Sequence, residues 1–463
     1  MSTTKKIIIC AIVVLCGVGG LLLAYFFRPN PMPVDWNAVQ RIPSNVTLLD
    51  KDAQENTTGS VALVRYTESG EIDTTPWKVL QFTDMHLTQN DKTNETSLMH
   101  FLAAMKRERP DFVVLTGDII TRPLGRARAI QLAEMFEKMG IYWCACLGNH
   151  EGDSMPYTLS RSENIRIWAN YPHCLVENDV KYTKAGEAVW GLGNTVVNLL
   201  GKDYAVMQSM IFMDSGSKLD AADIAYLKSK GVQVASSDAE YDSLLAAGEK
   251  VVHKSTYTFL KETQMTWYEE QVRKVTDDLK NGVKTMLFIH IPLCEQGNVK
   301  MIKPTEVIPQ GWSYANPNDP LVVDGKIVAY MAIKDGWHLI RDTASYEKCY
   351  CSDYNNGMYD LMRSLSAGVN ALFCGHDHIS NSILYQDPVD GEDTVYLCYG
   401  VCSGLQSYNL YDYGLSKEDD YSLRGYSVIM VNGDADSTFD LYHIRYNAVD
   451  TRVARVRASV ACD

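Results

Sequence analysis

Apolar and polar positions alternate along the chain in two different rhythms. Uninterrupted apolar runs predict buried strands, whereas apolar residues spaced three and four apart predict helices. Strands are expected at residues 61–66, 77–83, 112–116 and 142–147, and helices at 96–107 and 126–139. This alternation of strand and helix indicates a mostly parallel central sheet, which binds ligands at the carboxyl ends of its strands.

The second half of the chain repeats the pattern less regularly. Strands are predicted at residues 204–214, 284–291, 371–374, 395–399 and 426–431, and helices at 263–279 and 356–366. Two segments interrupt the pattern and read as insertions, at about 152–203 and 294–350. The aromatic side chains of the second insertion either form a lid over a site or pack an irregular loop onto the body: Trp312, Tyr314, Trp337 and His338.

The N-terminus carries a long apolar segment. Lys5 and Lys6 precede an uncharged run at residues 7–27, which at about 1.5 Å per residue matches a hydrocarbon core of about 30 Å. Lysines before such a run favour a cytoplasmic N-terminus and an extracytoplasmic body. A cleaved signal peptide is the alternative, but its apolar region is shorter and ends in small residues. A lipoprotein site at Cys16 is disfavoured by the bulky residue before it.

These segments divide the chain into three parts. Residues 1–28 form a cytoplasmic stub and a single-pass transmembrane anchor, and residues 29–59, rich in Pro, Asn, Asp and Thr, are expected to form a tether. Residues 60–463 form the body. Its length allows one large domain with insertions or two ordinary domains.

Composition narrows the class of function. The 463 residues are 46% apolar and carry a formal net charge of −14, with acidic and basic residues interspersed. A long nucleic-acid footprint is not expected, because gripping a polynucleotide requires clustered Lys and Arg. Small phosphate substrates remain compatible, since bound metal ions reverse the local field.

The chain contains twelve cysteines. Cys10 and Cys16 lie in the apolar segment, and an extracytoplasmic body permits disulfides among the other ten. Two C-x-C pairs are present, Cys144 with Cys146 and Cys349 with Cys351. They do not match the C-x-x-C repeats of structural zinc sites. The sequence leaves the pairing open, and Cys144, Cys146 and Cys374 are expected to be small buried hydrophobes in strands.

Polar clusters follow or interrupt five of the predicted strands. The clusters are Asp84-Met85-His86, Gly117-Asp118, Gly148-Asn149-His150-Glu151, His290 within an apolar strand, and Gly375-His376-Asp377-His378. Burying such groups is costly unless something pairs with them, and metal ions are the natural partners. Imidazole nitrogens combined with carboxylate and amide oxygens suit Zn, Mn or Fe. Each cluster alone is a weak signal, but chance is a minor explanation for five in this order.

This order of motifs resembles the calcineurin-like metallophosphoesterase superfamily, over roughly residues 77–431. The resemblance implies an α/β (α+β) sandwich of two mixed β-sheets flanked by helices, with two metal ions between the strand ends. It implies that Asp118 bridges the two metals, that His150 is the catalytic histidine and that Glu151 is the acidic residue beside it. The remaining implied metal ligands are Asp84, His86 and His378 for the first ion, and Asn149, His290 and His376 for the second.

Further residues resemble the branch related to purple acid phosphatases. They are Gln264 with Trp267, Asn356-Gly357, Tyr399-Gly400 with Ser403-Gly404, and Arg424-Gly425-Tyr426. In true purple acid phosphatases a tyrosine three residues after the G-D aspartate binds ferric iron. Thr121 stands at that position here, so neither the purple colour nor an obligatory Fe(III) is expected.

The expected activity is hydrolysis of phosphate esters by a hydroxide held between the two metals, with His150 assisting the leaving group. A phosphomonoesterase is the first choice. A phosphodiesterase or a nucleotide or pyrophosphate hydrolase is the alternative within enzymes. A non-catalytic surface-binding module is a third reading, disfavoured because every ligand position is filled.

Overall fold

A computed structural model describes most of the body of the chain. It covers residues 31–49, 51–53, 55–56, 58–88, 91–121, 125–152, 159–278, 283–316, 318, 320–323, 325–340, 343–389, 391–405, 423–432, 439–446 and 452–457. The transmembrane anchor expected at 7–27 lies outside these residues. Within them, no helix combines the length and apolar character that crossing a bilayer demands.

The described elements are mainly strands. The strands are β1 Val46–Leu49, β2 Val61–Arg65, β3 Trp77–Phe82, β4 Phe112–Thr116, β5 Tyr142–Cys146, β6 Thr195–Leu200, β7 Val206–Phe212, β8 Gln233–Ala235, β9 Val251–His253, β10 Thr285–Phe288, β11 Val299–Ile302, β12 Trp312–Tyr314, β13 Leu321–Val323, β14 Lys326–Lys334, β15 Trp337–Leu339, β16 Val369–Cys374, β17 Ile383–Gln386, β18 Tyr396–Tyr399, β19 Gly425–Val431, β20 Phe439–Arg445 and β21 Arg452–Arg457. The α-helices are α1 Asp91–Glu108, α2 Arg126–Met139, α3 Arg161–Trp168, α4 Ala221–Ser229, α5 Asp238–Ala246, α6 Glu262–Arg273 and α7 Met358–Ser364.

Two large mixed sheets form the framework. One has nine strands in the order β1-β2-β6-β7-β10-β16-β18-β17-β15, and the other has six in the order β21-β20-β19-β3-β4-β5. Parallel pairing joins β3 to β4 and β4 to β5 in the six-stranded sheet. It also joins β7, β10, β16 and β18 in the nine-stranded sheet. Both sheets therefore present carboxyl strand ends at which polar side chains can gather.

The two sheets pack face to face through apolar side chains. Phe373 of β16 lies with its ring centroid 5.9 Å from that of Phe439 of β20, in the opposite sheet. Phe288 stacks between Phe212 and Phe373 at 4.9 and 5.0 Å. Aromatic pairs at such distances add stability beyond the area that they bury. The core of the fold thus lies between the sheets, as expected for a sandwich.

Helices cover the outer faces. On the six-stranded sheet, Phe136 of α2 stacks on Trp143 of β5, with centroids 4.8 Å apart. On the nine-stranded sheet, a second buried cluster includes Trp267 and Tyr268 of α6 and Tyr359 of α7. The arrangement is helix, sheet, sheet and helix, so the two-sheet sandwich expected from the sequence is present in the described residues.

Most predicted elements are found within a few residues of their expected bounds. The strand at 112–116 and the helix at 126–139 match residue for residue. The helix predicted at 96–107 begins earlier, at Asp91, and ends at Glu108. The helix predicted at 263–279 ends at Arg273, where a π-helical turn, Lys274–Asp278, follows it.

The stretch expected to be a tether differs from that prediction. Within 29–59, the side chains of Met32, Val39 and Ile42 are buried in the main core. Strand β1 pairs antiparallel with β2 and extends the nine-stranded sheet at its edge. Prolines and polar residues separate the apolar side chains of this stretch, a pattern that predicts a tether. The apolar side chains are buried because the body offers them a complementary surface.

The two insertions also contain regular structure. Segment 152–203 supplies α3 and β6, and β6 is fully buried between β2 and β7. Segment 294–350 supplies a small antiparallel sheet around β14. Trp337 packs on Tyr359 and His338 stacks on Tyr385, which supports the packing interpretation of these aromatic residues.

Candidate metal centre

Five strands bring the polar clusters to one place. Strands β3, β4 and β5 end just before Asp84, Asp118 and Asn149 in the six-stranded sheet. Strands β10 and β16 end just before His290 and His376 in the nine-stranded sheet. Because these strands run parallel within each sheet and the sheets face each other, residues up to 292 positions apart come into contact.

Seven side chains form two groups that share one carboxylate. In the first group, donor atoms of Asp84, His86, Asp118 and His378 all lie within 4.8 Å of one another. In the second, the same holds for Asp118, His290 and His376. The amide oxygen of Asn149 lies 3.1 Å from Nε2 of His290, at the edge of the second group. The structure thus brings together every side chain that the sequence proposed as a ligand.

In the carboxylates of Asp84 and Asp118, one oxygen accepts hydrogen bonds from protein O–H or backbone N–H groups and the other does not. Oδ2 of Asp84 accepts hydrogen bonds from the Thr83 hydroxyl at 2.8 Å and the His376 amide at 2.9 Å. Oδ1 of Asp118 accepts one from the His150 amide at 2.7 Å. The other oxygens, Oδ1 of Asp84 and Oδ2 of Asp118, are buried and each lies 3.3 Å from an imidazole nitrogen, Nε2 of His378 and Nε2 of His290 respectively. A buried carboxylate oxygen left in this state requires a cation.

The imidazoles meet in pairs. Nε2 of His86 lies 3.0 Å from Nε2 of His378, and Nδ1 of His376 lies 3.2 Å from Nε2 of His290. The Nδ1 atom of His290 lies 2.7 Å from the carbonyl oxygen of Thr116, so that nitrogen carries the proton and Nε2 keeps its lone pair. Such pairs of nitrogens directed at one point suit coordination of a common ion.

The surroundings set the charge of these groups. Burial, followed by repulsion from His378, lowers the pKa of His86 to about 3. Burial, followed by repulsion from His290, lowers the pKa of His376 to about 3. Burial alone would raise the pKa of Asp84, but the hydrogen bond and charge of His378 outweigh it and lower the pKa to about 2. Neutral imidazoles and an ionised carboxylate are the forms that bind metals.

The pKa of His290 is shifted in the opposite direction to those of His86 and His376. Burial alone would lower its pKa, but the carboxylates of Asp118 and Asp84 and the carbonyl of Thr116 raise it to about 10. The charge of His290 in turn keeps the pKa of Asp118 well below its usual range, against the opposing effect of burial. The pocket therefore favours positive charge beside Asp118. This donor set fits two metal ions of the Mn, Zn or Fe type.

The backbone is strained at the same residues. Asp84, His86, Asp118 and His376 have positive φ angles of 52°, 46°, 52° and 81°. Side chains rarely adopt this left-handed region, and such strain clusters at functional sites. Gly117 also has a positive φ of 84°, and a Cβ atom there would lie 2.5 Å from Nδ1 of His290. The tight turn thus needs glycine for its conformation and for its closeness to a ligand.

The side chain of Glu151 is directed at the turn that carries Asp118. Its carboxylate accepts hydrogen bonds from four backbone amides, those of Gly148, Asp118, Ile119 and Ile120, at 2.6 to 3.2 Å. Burial, followed by the charge of Asp118, raises its pKa to about 7. These hydrogen bonds hold the turn that carries Asp118, and the role of Glu151 beside the catalytic histidine stays a prediction.

His150 lies beside the first group of ligands. It begins a short 3₁₀ turn, His150–Gly152, and its ring centroid is 5.4 Å from that of His86. Its side chain is half-buried, unlike the fully enclosed His290. A histidine that borders the ligands and still reaches solvent is placed to meet a substrate there.

Two arginines support the backbone of the centre. Arg161 of α3 forms an ion pair with Asp214 and donates to the carbonyl oxygen of Gly148, so it braces the turn before Asn149. Arg424, one of the branch-specific residues, donates to the carbonyl oxygen of His378. No sequence signal pointed to Arg161, because it acts on the backbone of a segment outside its own helix.

Two of the branch-specific residues also have a structural place. Gln264 is buried and donates to the carbonyl oxygen of Asp214 at 2.8 Å. Asn356 donates to the carbonyl oxygen of Leu260 and fixes the start of α7 against α6. Thr121, at the position of the iron-binding tyrosine, is 2% exposed.

One family model matches part of the chain. The model of the family described as calcineurin-like phosphoesterase matches residues 78–222. No protein of curated function matches the sequence. The matched segment contains β3, β4 and β5 with the polar clusters that follow them.

Solved structures resemble the chain at low identity. A dimetal phosphatase from Danio rerio is 12% identical with a TM-score of 0.43, over 83% of this chain and 99% of that one. A purple acid phosphatase from yellow lupin (Lupinus luteus) seeds is 9% identical with a TM-score of 0.40, over 90% and 66%. GAP50, the anchor in the inner membrane complex of Plasmodium, is 11% identical with a TM-score of 0.37, over 82% and 89%.

Replacing Gly117 by alanine should damage the centre. The new Cβ collides with the His290 ring, so we expect Gly117→Ala to lower metal affinity at least about tenfold, as loss of a ligand's support does. The metal content of dialysed protein, measured by mass spectrometry, checks this.

Gly70→Ala is the matched control. Gly70 has a φ of 85°, close to the 84° of Gly117, but no atom lies within 4 Å of its Cβ position. It should cost only about 1–2 kcal/mol of backbone strain. Equal metal content in both variants would contradict the assigned geometry.

Proposed function

We propose that the chain, in which the calcineurin-like phosphoesterase model matches residues 78–222, is a metal-dependent phosphoesterase of the hydrolase class that acts on phosphate monoesters. The observation that carries the proposal is the pair of ligand groups that share Asp118. A carboxylate common to two groups is how a protein holds two cations a few ångströms apart.

We assign the ligands to two ions. Asp84, His86 and His378 would hold the first, and Asn149, His290 and His376 would hold the second, with Asp118 common to both. Bound there, the two cations would supply Lewis-acid activation of the phosphate and of the attacking water. The protein's own part is to fix the ligands, through the Thr83, Thr116 and Glu151 contacts described above.

His150 would assist the leaving group. Its half-buried ring borders the first ligand group, and its amide is fixed by Asp118 at 2.7 Å. A histidine so placed can donate a proton to the departing oxygen, because its ordinary pKa lies near neutrality. No serine or cysteine nucleophile is required.

A cation at the edge of the centre favours the monoester. Nζ of Lys218 lies 3.4 Å from the ring centroid of Tyr257, and that ring packs edge-on against His376 with centroids 4.6 Å apart. Lys218 is exposed, so it can meet a substrate from solvent. A monoester carries one more negative charge than a diester and gains more from this lysine. A phosphodiesterase, or a nucleotide or pyrophosphate hydrolase, is the second candidate.

Two further features complete the proposal. Thr121 lacks the phenol group that binds ferric iron in purple acid phosphatases. We therefore propose a centre of two divalent ions without a purple colour. The uncharged run at 7–27, preceded by Lys5 and Lys6, supports a single-pass anchor with the body outside the cytoplasm.

Substrate class can be tested with chromogenic esters. Full-length protein loaded with Mn²⁺ or Zn²⁺ should hydrolyse p-nitrophenyl phosphate with a higher kcat/KM than bis(p-nitrophenyl) phosphate. Asp118→Asn should lower the monoester rate by about 100-fold or more, because both cations lose their common ligand. Preference for the diester would instead support the second candidate. Bound metal without turnover of either ester would support a non-catalytic binding module.

The contribution of Lys218 can be separated in the same assay. Lys218→Met should reduce the monoester preference about twofold to fivefold, as expected for one exposed charge. Lys254→Met, an exposed lysine with the same change in net charge, should leave the preference unchanged.

The role of His150 predicts a dependence on the leaving group. His150→Ala should lower kcat about 10²–10³-fold for an alkyl phosphate, whose oxygen needs a proton to depart. The loss should be much smaller for p-nitrophenyl phosphate, since nitrophenolate leaves unprotonated. Plots of log kcat against leaving-group pKa measure this. His173→Ala, near Glu137, should change neither slope nor rate, and equal losses for both esters would exclude proton donation by His150.

The membrane orientation can be tested by protease access. In sealed cells that express the full-length chain, added protease should degrade the body, because residues 7–27 leave it outside. A tag placed before Lys5 should remain protected. Complete protection of the body in intact cells, with digestion after lysis, would contradict the proposed orientation.

A further inference from the structure

Three cysteines meet beside the metal centre. Cys294 lies in the loop after β10, four residues beyond His290, and Cys349 and Cys351 lie in the segment before α7. The Cys294 thiol contacts the carbonyl oxygen of Ser352, the residue after Cys351, and the Cys349 sulfur lies 3.8 Å from the carbonyl oxygen of Leu293, the residue before Cys294. All three are reduced in the structure. The cluster joins two segments that are far apart in sequence, and the phosphoesterase chemistry does not use it.

The three thiols differ in access to solvent. Cys294 and Cys351 are partly exposed, whereas Cys349 is 8% exposed. The Cys349 sulfur lies 3.4 Å from the Tyr399 hydroxyl and 3.8 Å from the carbonyl oxygen of Leu293. The Cys294 thiol donates to the carbonyl oxygen of Ser352 at 3.2 Å, which holds it next to Cys351. A reagent from solvent therefore meets Cys294 and Cys351 first.

The Cys351 thiol is the more nucleophilic one. The neighbouring thiols, Cys294 and then Cys349, lower the pKa of Cys351 to about 4, although burial opposes the shift. The nearby Cys351, followed by burial, raises the pKa of Cys294. Thiolates, not thiols, attack disulfides and other electrophiles. Cys351 is thus the attacking sulfur and Cys294 its neighbour with a proton to release.

A metal is a poor occupant of this cluster. Among the described residues, the groups of three or more potential ligands within binding distance of one another are the two at the phosphoesterase centre. The three cysteines do not form a third such group, so their sulfurs are not all close enough to one another to surround a single ion.

We propose that Cys294 and Cys351 form a reversible disulfide when the protein meets a small-molecule disulfide oxidant. The Cys351 thiolate attacks one sulfur of the oxidant, forming a mixed disulfide and expelling one thiolate. Cys294 then gives up its proton, and its sulfur attacks the Cys351 sulfur and expels the second thiolate. Two protein thiols are oxidised and one oxidant disulfide is reduced to two thiols, so electrons and protons balance.

The bond would tie down a loop that supports the metal ligands. The amide of Tyr350, next to Cys351, donates to the carboxylate of Asp377 at 3.2 and 3.3 Å. Asp377 stands between His376 and His378, and the Tyr399 hydroxyl also donates to it. Closing the disulfide fixes this segment to the loop after His290. The expected result is a stabilised, not a distorted, support for the centre.

Redox titration of the full-length, metal-loaded protein tests the proposal. The protein is equilibrated with mixtures of oxidised and reduced glutathione, quenched with acid, alkylated and examined by intact-mass and peptide mass spectrometry. Oxidising mixtures should remove two alkylated thiols and yield a Cys294–Cys351 cross-linked peptide, reversed by dithiothreitol. The cross-linked form should unfold at a temperature about 5 °C higher, because the bond closes a long loop. Neither readout depends on phosphoesterase activity.

Serine variants assign the bond. Cys294→Ser and Cys351→Ser should abolish both the cross-link and the rise in unfolding temperature, whereas Cys349→Ser should retain both. Cys398→Ser, a buried cysteine in β18, is the matched control and should behave as the unmodified chain does. The proposal is overturned if all thiols stay alkylatable in oxidised glutathione, or if the bond joins Cys349 to Cys351. A stable glutathione adduct without a cross-link would overturn it as well, as would a stoichiometric third metal that Cys351→Ser removes.

Discussion

The whole centre depends on two buried carboxylates that each have one oxygen left over. Thr83 and His376 satisfy one side of Asp84, and His150 satisfies one side of Asp118. The other oxygens face imidazole nitrogens, Nε2 of His378 and Nε2 of His290, each 3.3 Å away. Burial of such charge is unfavourable by several kcal/mol unless cations compensate it. The fold is built to supply that compensation.

The backbone is locally strained where it holds these groups in place. Four ligand residues adopt left-handed backbone angles, and glycines stand where any side chain would strike a ligand. The Glu151 carboxylate gathers four amides around the Asp118 turn and keeps that conformation in place. Strain of this kind persists only where the surroundings over-determine it. The two sheets do so, because each strained turn ends a strand buried on both faces.

The thiol cluster lies in the layer just outside these ligands. Asp377 connects the two, through Tyr350 on the thiol side and through its neighbours His376 and His378 on the metal side. The segment 294–350 begins and ends at this cluster, and its strand β15 also pairs with β17 of the nine-stranded sheet. A covalent bond at the cluster would limit the freedom of the insertion without touching the ligands themselves.

Local pattern predicted much of the fold. The strand at 112–116 and the helix at 126–139 appear as expected, because long apolar runs and regular spacing are decided by nearby residues. Elements in the insertions were missed. Strand β6 has an apolar run and a turn signal at residues 191–194 before it, so local pattern could have found it. In the stretch that carries Ile42, prolines and polar residues separate the apolar side chains, so it acquires its structure from a surface that only the folded body provides.

The sequence by itself determined which side chains belong to the centre, since Asp84, Asp118, His290 and their partners each follow or end a strongly apolar strand. Only the tertiary structure decided what each of them contacts. It turned Glu151 towards the Asp118 turn, joined Arg161 to Asp214 and set Cys351 beside two other thiols. The reason is physical: strand endings are encoded by neighbours in sequence, whereas partners across the sandwich are chosen by how two sheets pack.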